Sequence, residues 1–355
     1  MKHFLFFSAL IALSATNAYA DQTLFATEQA IGATTIATLQ HTITQNLFST
    51  RARPFSAHPI TTPETIINPA PTYNQPIYGS ELLYGEYNDD GTMGRNGGDT
   101  NAPISNIWLN WQHTSDDINL NNFNRFDSRH DIATIGFTAH DKTTPNGFYN
   151  WTFYGGYING TSKNSELDSD ENGGFIGILN KLQTHNFIIN STINTGFLKT
   201  DVNYASISDN HTNIWFGAMA NIAYNLKLDD TFSLYPMITA GYTWIKNETQ
   251  NSTYSDDLQN QTFGFFEVTP ALNAVKHIGN NWYGTLGVKY VMLSNTDKNI
   301  TINDTEIEIP TVDNYTEYGI SLEKQTNSFA FKATIGRHDG DLTGWIGDLN
   351  IKYIF

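Results

Sequence analysis

The 355-residue chain contains no cysteine, which sets aside a secreted domain stapled by disulfides. Basic residues are scarce, 19 Lys and Arg against 35 Asp and Glu, for a formal net charge of −16. No nucleic-acid partner is expected on that balance, because phosphate binding needs a basic face. Long apolar runs are missing as well: beyond residue 20 none approaches the roughly 18 residues of a membrane-spanning helix. Absent too are a Gly-rich phosphate loop, a zinc-ligand spacing and a nucleophile elbow. The sequence therefore offers no catalytic site, metal site or cofactor, and the expectation is a protein that is not an enzyme.

What is present divides into three parts. Residues 1–20, MKHFLFFSALIALSATNAYA, have the layout of a cleavable export signal. Lys2 and His3 open it, Phe4 to Leu13 form an apolar stretch too short to span a bilayer as a helix, and small residues end at Ala20. The mature chain is expected to begin at Asp21. Residues 21–104 hold a helix and a linker. Ile36, Leu39, Ile43 and Leu47 recur at helical spacing beside Ala30, Ala33 and Ala37, which predicts a helix over 22–50. Six prolines from Pro54 to Pro76 and a Gly-rich stretch after Tyr78 mark 51–104 as a linker.

From residue 105 to Phe355 the texture changes to stretches that alternate apolar and polar side chains. They predict twelve strands, near 105–114, 129–141, 147–159, 172–183, 186–200, 211–228, 231–245, 262–277, 281–294, 314–325, 328–338 and 343–355. In the fifth, Phe187, Ile189, Ile193 and Phe197 share one face while Asn190, Thr192, Asn194 and Gly196 share the other. A soluble sandwich shows the same period, so length and loop parity decide. Strands of about 10 residues suit a tilted membrane crossing, whereas globular strands average about 5–6. Connections after even strands are short, as in Thr184-His185, Asp229-Asp230 and Gly279-Asn280. Those after odd strands are longer, as in 115–128, 160–171, 246–261 and 295–313, although 339–342 breaks the rule. Short turns on one side and long loops on the other are the pattern of a transmembrane barrel. Lipid cannot pair an open strand edge, so the sheet must close. The expected fold is all-β: a 12-stranded antiparallel transmembrane β-barrel, monomeric, in the bacterial outer membrane.

Two stretches carry a family resemblance. The end of the chain, Gly347-Asp348-Leu349-Asn350-Ile351-Lys352-Tyr353-Ile354-Phe355, resembles the C-terminal assembly signal of outer-membrane barrels, borne by Leu349, Ile351, Tyr353 and Phe355. The opening runs Trp108-Leu109-Asn110-Trp111, then Asn121-Asn122-Phe123-Asn124, Ile132-Ala133-Thr134-Ile135-Gly136-Phe137 and Asn150-Trp151-Thr152 to Tyr154-Gly155-Gly156-Tyr157. That order is similar to the start of the autotransporter β-domain, and the strand count and upstream helix agree. The resemblance implies a translocator that displays an N-terminal segment at the cell surface, with the barrel-assembly machinery, lipid and lipopolysaccharide as partners. Family passengers are usually long β-helices, whereas only residues 21–104 separate signal from barrel here and none of them repeats. A structural, adhesive or small-pore barrel without a passenger is the alternative.

The face predicted to line the lumen bears Glu267, Lys289, Glu317, Glu323, Lys332, Asp348 and Lys352. The favoured reading is polar filling of a barrel interior; the sharper one is that these charges dock the 22–50 helix or set ion selectivity. Glu166, Asp168, Asp170 and Glu171 lack calcium-loop spacing and read as solvated surface charge. His113 with Ser115, or His338 with Asp339, could be written into a hydrolytic scheme but sit in no distinctive motif. Asn46 is the one position near the helix end where an Asn-mediated cut could be placed. Sequons such as Asn150, Asn190, Asn210, Asn247 and Asn303 are chance products of abundant Asn and Thr.

Overall fold

The computed structural model describes residues 32–45, 47, 106–119, 125–144, 147–164, 167–204, 207–251, 261–296, 299–302, 305–308, 312, 314–326 and 328–355. The predicted signal, the linker 51–104, Asn46, Glu166, Asn303 and the ends of the 22–50 helix lie outside those residues. Residues 32–45 form the helix α1.

Twelve strands build the wall: β1 (Asn106–Ile118), β2 (Phe126–Thr144), β3 (Gly147–Lys163), β4 (Leu167–Thr184), β5 (Phe187–Tyr204), β6 (Ile207–Tyr224, continued by Leu226–Lys227), β7 (Phe232–Asn251), β8 (Gln261–Gly279), β9 (Trp282–Asn295), β10 (Asn314–Gln325), β11 (Phe329–Gly340) and β12 (Leu342–Ile354). Each pairs antiparallel with its sequence neighbours. β1 also pairs with β12, from Asn106↔Ile354 to Ile118↔Leu342, so the sheet closes and leaves no edge. A small hairpin, Asn299–Ile302 with Thr305–Glu308, stands between β9 and β10.

All twelve predicted strands are present, but most run further toward the long-connection side than the alternation foretold. The reason is a change of amphipathic phase along each strand. In β5 the outward face reads Phe187, Ile189, Ile193 and Phe197, then Lys199 and Asp201; the inward face reads Asn190, Thr192 and Asn194, then Leu198 and Val202. β2 does the same in reverse, with Asp127, Arg129 and Asp131 outward at the loop end before Ile135 and Phe137. An Arg or Lys facing hydrocarbon at mid-bilayer costs about 2–4 kcal/mol, and an Asp or Glu somewhat less. The outward Asp127, Arg129, Asp168, Asp170, Lys199, Asp201, Lys246 and Glu248 therefore place this part of the wall above the membrane, in water.

The band below is sized for lipid. From Phe187 to Phe197 and from Leu234 to Trp244 it covers eleven residues, within the roughly 9–11 that a tilted strand needs. Trp111, Tyr157, Phe197, Trp244 and Trp345 ring its upper border; Trp151, Phe187, Tyr224, Tyr353 and Phe355 ring the lower, all exposed. The residues read as an assembly signal, Leu349, Ile351, Tyr353 and Phe355, lie on the outward face of the closing strand, with Tyr353 edge-on to Phe355 at 5.2 Å.

The overshoot corrects the loop reading. β3 ends at Lys163 and β4 begins at Leu167, while β5 and β6 are separated by two residues, so much of the predicted 160–171 loop is strand. At the opposite end the turns are tight. Asn280 and Asn281 both take positive φ, 51° and 62°, the conformation of a type I′ hairpin turn. In the β6–β7 turn the Asp229 carboxylate accepts bonds from the Thr231 N–H and hydroxyl, which hold it below the usual carboxylate range.

Candidate functional site

α1 lies inside the barrel. A helix buried on every side would normally be apolar; this one reads Thr34, Thr35, Thr38, Gln40, His41, Thr42 and Thr44 between its aliphatic residues, and nearly all are buried. The threonines partly serve themselves. Thr44 Oγ1 donates to the Gln40 carbonyl at 2.7 Å, and Thr38 Oγ1 to Thr34 or Thr35 at 3.0 Å. Gly32 brings the helix close to β6, where a Cβ would lie 2.6 Å from Asn213 Nδ2 and 3.2 Å from His211 Nε2. Lower down, Gln45 Nε2 donates to Thr239 Oγ1 of β7 at 3.3 Å. Asn213 sits in the loop-end half of β6 and Thr239 in the turn-end half of β7. The helix thus runs from the long-connection end toward the short-turn end.

His41 is its one strong attachment. His41 Nδ1 lies 2.7 Å from Glu267 Oε1 on β8, and Nε2 lies 3.4 Å from Glu317 Oε2 on β10. Thr269 Oγ1 donates to the same Glu267 oxygen at 2.8 Å, and Lys289 Nζ of β9 donates to Glu317 Oε1 at 2.5 Å. The network continues to His338 on β11, whose Nδ1 meets Asp116 Oδ1 of β1 at 2.8 Å while Nε2 lies 3.8 Å from Glu317. Tyr315 sets its ring edge-on to both imidazoles, at 5.9 and 5.3 Å. Three carboxylates face one ammonium and two imidazoles, so the cluster is neutral when both imidazoles carry charge.

The lumen differs above and below this cluster. Toward the loop end, Ile118, Phe126, Leu167, Val202, Ile245, Phe263, Val291, Leu293 and Leu342 form an apolar core with Ala33, Ile36, Leu39 and Ile43 of the helix. Toward the turn end a cavity of about 330 Å³ opens beside Ile43 and Leu47, lined by Asn110, Lys289, Glu323, Lys332, Asp348 and Lys352 among others. Asp348 there accepts a bond from Asn110, and Glu323 one from Gln325. The seven predicted lumen charges all face inward and divide by role: Glu267 and Glu317 receive the helix, Lys289 braces Glu317, and the other four line the cavity. Trp108, from the opening motif, lies over Gly136 of β2, where a Cβ would come within 2.2 Å of the indole.

Two readings need correction. Glu171 is no surface charge: it is buried in the lumen, 2.7 Å from His130 Nε2, while Asp168 and Asp170 do point outward into water. The proposed hydrolytic pairs also come apart. His113 faces outward, bonded to Asp131 at 3.1 Å, and His338 points inward while Asp339 points out. A chain that sequence spacing did not reveal, Ser128 Oγ to His130 Nδ1 at 3.3 Å and on to Glu171, is buried, and the backbone N–H groups of its strands are committed to the ladder. Those backbone groups are therefore not free to serve an oxyanion. The sequons Asn150 and Asn190 lie on lumenal faces, closed to a glycan.

No family model and no curated protein matches this chain. Solved structures do. The transport unit of the autotransporter AIDA-I from Escherichia coli superposes with a TM-score of 0.62 at 15% identity, over 73% of this chain and 93% of that one. The translocator domain of NalP from Neisseria meningitidis gives 0.59 at 12% identity, over 73% and 91%. The β-domain of the Bordetella autotransporter BrkA gives 0.58 at 10% identity, over 71% and 100%. At such identities the likeness is one of architecture, a closed twelve-stranded barrel with one N-terminal helix. The chain has the fold of an autotransporter translocator domain.

Proposed function

We propose that the protein is an outer-membrane translocator-type barrel that holds α1 in its lumen and presents whatever precedes residue 32 at the cell surface. The direction of the helix carries this reading. Gly32 meets β6 near the long-connection end and Gln45 meets β7 nearer the short turns. Long connections face outward and short turns face the periplasm in such barrels, so a segment joined to residue 32 emerges on the outside. The translocator architecture supports the same reading. The role in this reading is display of the segment that precedes residue 32. Barrel-assembly machinery, lipid and lipopolysaccharide are the partners of this reading; the barrel acts as a monomer and carries out no reaction.

A barrel without a passenger, structural, adhesive or a narrow pore, is the competing reading, and the polar cavity at the turn end favours it. An epitope inserted between residues 21 and 31 separates the two. Antibody labelling of intact cells is expected; labelling only after the outer membrane is permeabilised would reject surface display.

A further inference from the structure

The helix's seat is nearly all neutral. Residues 32–45 contain no Asp, Glu, Lys or Arg, and His41 is the one titratable group among them. Apart from the 3.3 Å bond from Gln45 to Thr239, most polar atoms along the rest of the interface have no bonded partner. Thr34 Oγ1, Thr35 Oγ1 and both amide atoms of Gln40 lack a partner among the described residues, as do Asn194 Oδ1, Asn213 Nδ2 and Trp215 Nε1 on the wall. Such contacts do not fix an axial position. His41 does, because its two nitrogens face carboxylates from strands on either side of β9. A slip of one helical turn, about 5.4 Å, would take the imidazole out of reach of both.

We propose that His41, held between Glu267 and Glu317, is a proton-operated stop that fixes the register of the lumenal helix and frees it when either side of the ion pair loses charge. The groups around it are Glu267 on β8, Lys289 on β9, Tyr315 and Glu317 on β10, His338 on β11 and Asp116 on β1. Lys289 donates to Glu317 and keeps its carboxylate in place. Holding therefore needs an imidazolium and ionised carboxylates together. It fails on the acid side as the carboxylates take protons, and on the alkaline side as the imidazole gives its proton up. The inference rests on the helix's seat alone and stands whether or not the preceding segment reaches the surface.

The chain has no cysteine, so a single introduced thiol reports the helix cleanly. Thr38→Cys barrels in lipid vesicles, with folding checked by heat-modifiable gel mobility, are labelled with a thiol reagent between about pH 4 and about pH 10. Labelling is expected to be slowest at intermediate pH and to rise about tenfold per unit where the ion pair fails, the response of one titrating group. His41→Gln should lose the alkaline limb, and Glu267→Gln with Glu317→Gln the acid limb. A Gln45→Cys/Thr239→Cys crosslink should make bilayer conductance low and independent of pH. A pH-independent labelling rate after correction for thiol ionisation, or an unchanged profile in His41→Gln, would overturn the stop. Either result leaves the intact-cell labelling of the N-terminal epitope to be judged separately.

Discussion

Above the upper aromatic ring the wall is a water-soluble barrel, with charge outside and Phe126, Leu198, Ile245 and Phe263 inside. Below the ring it is a membrane barrel, with Phe187, Ile193 and Ile222 outside and amides inside. The same strands run unbroken through both regions. The solvent on each side, rather than the strand, therefore sets which face is apolar. A sheet tolerates the reversal because successive side chains point to opposite faces, so each face can change its polarity independently along the strand. The helix spans both regimes, its aliphatic residues in the upper core and its Gln45 beside the polar lumen below.

The largest expected effect lies in the upper core. Phe263 is fully buried there, and Phe263→Ala should cost about 3–5 kcal/mol of stability through lost packing and the cavity left behind. Urea titration of the barrel folded into vesicles measures it; a cost near zero would mean that the upper lumen is not a packed core. Next in size is a charge moved across the boundary. Ile193→Lys, on the lipid face of β5, should cost about 2–4 kcal/mol in the same titration, whereas Asp201→Lys, on the same face above the band, should change little. Equal effects would erase the boundary. Gly136→Ala follows, at about 1–3 kcal/mol, because the added Cβ must displace the Trp108 indole, and tryptophan emission should shift with it.

The smallest expected effect lies at the turn end. The Asp229 carboxylate is favoured in its ionised form by the Thr231 bonds, so its contribution is present at neutral pH and lost as pH falls through its lowered pKa. Asp229→Asn should leave the neutral-pH midpoint nearly unchanged and remove a small part of the acid sensitivity. A large neutral-pH loss would show that this turn governs assembly, contrary to its full exposure.

Much of this was legible from residues alone. Alternation located all twelve strands, and the inward placement of Glu267, Lys289, Glu317 and Asp348 followed from the same parity. The phase reversal is not legible, because a strand that turns polar outside looks locally like a loop, as 160–171 does, and Glu171 then looks exposed. His41 is not legible either. A lone histidine in a threonine-rich stretch has no motif, and its partner Glu267 is 226 residues away. Asp116 and His338 are 222 residues apart and meet only because β1 closes on β12 and β11 lies next to it.

The strand count, the alternation of faces within the lipid-facing band and the need for closure follow from the amino-acid order, since these rest on period-two patterning and on the impossibility of an unpaired edge in lipid. The tertiary structure alone decided where the membrane border falls, that the helix lies within the lumen, and which carboxylates hold His41. Those depend on curvature and ring closure, which bring distant strands to one point, and no local pattern encodes a distance across a lumen.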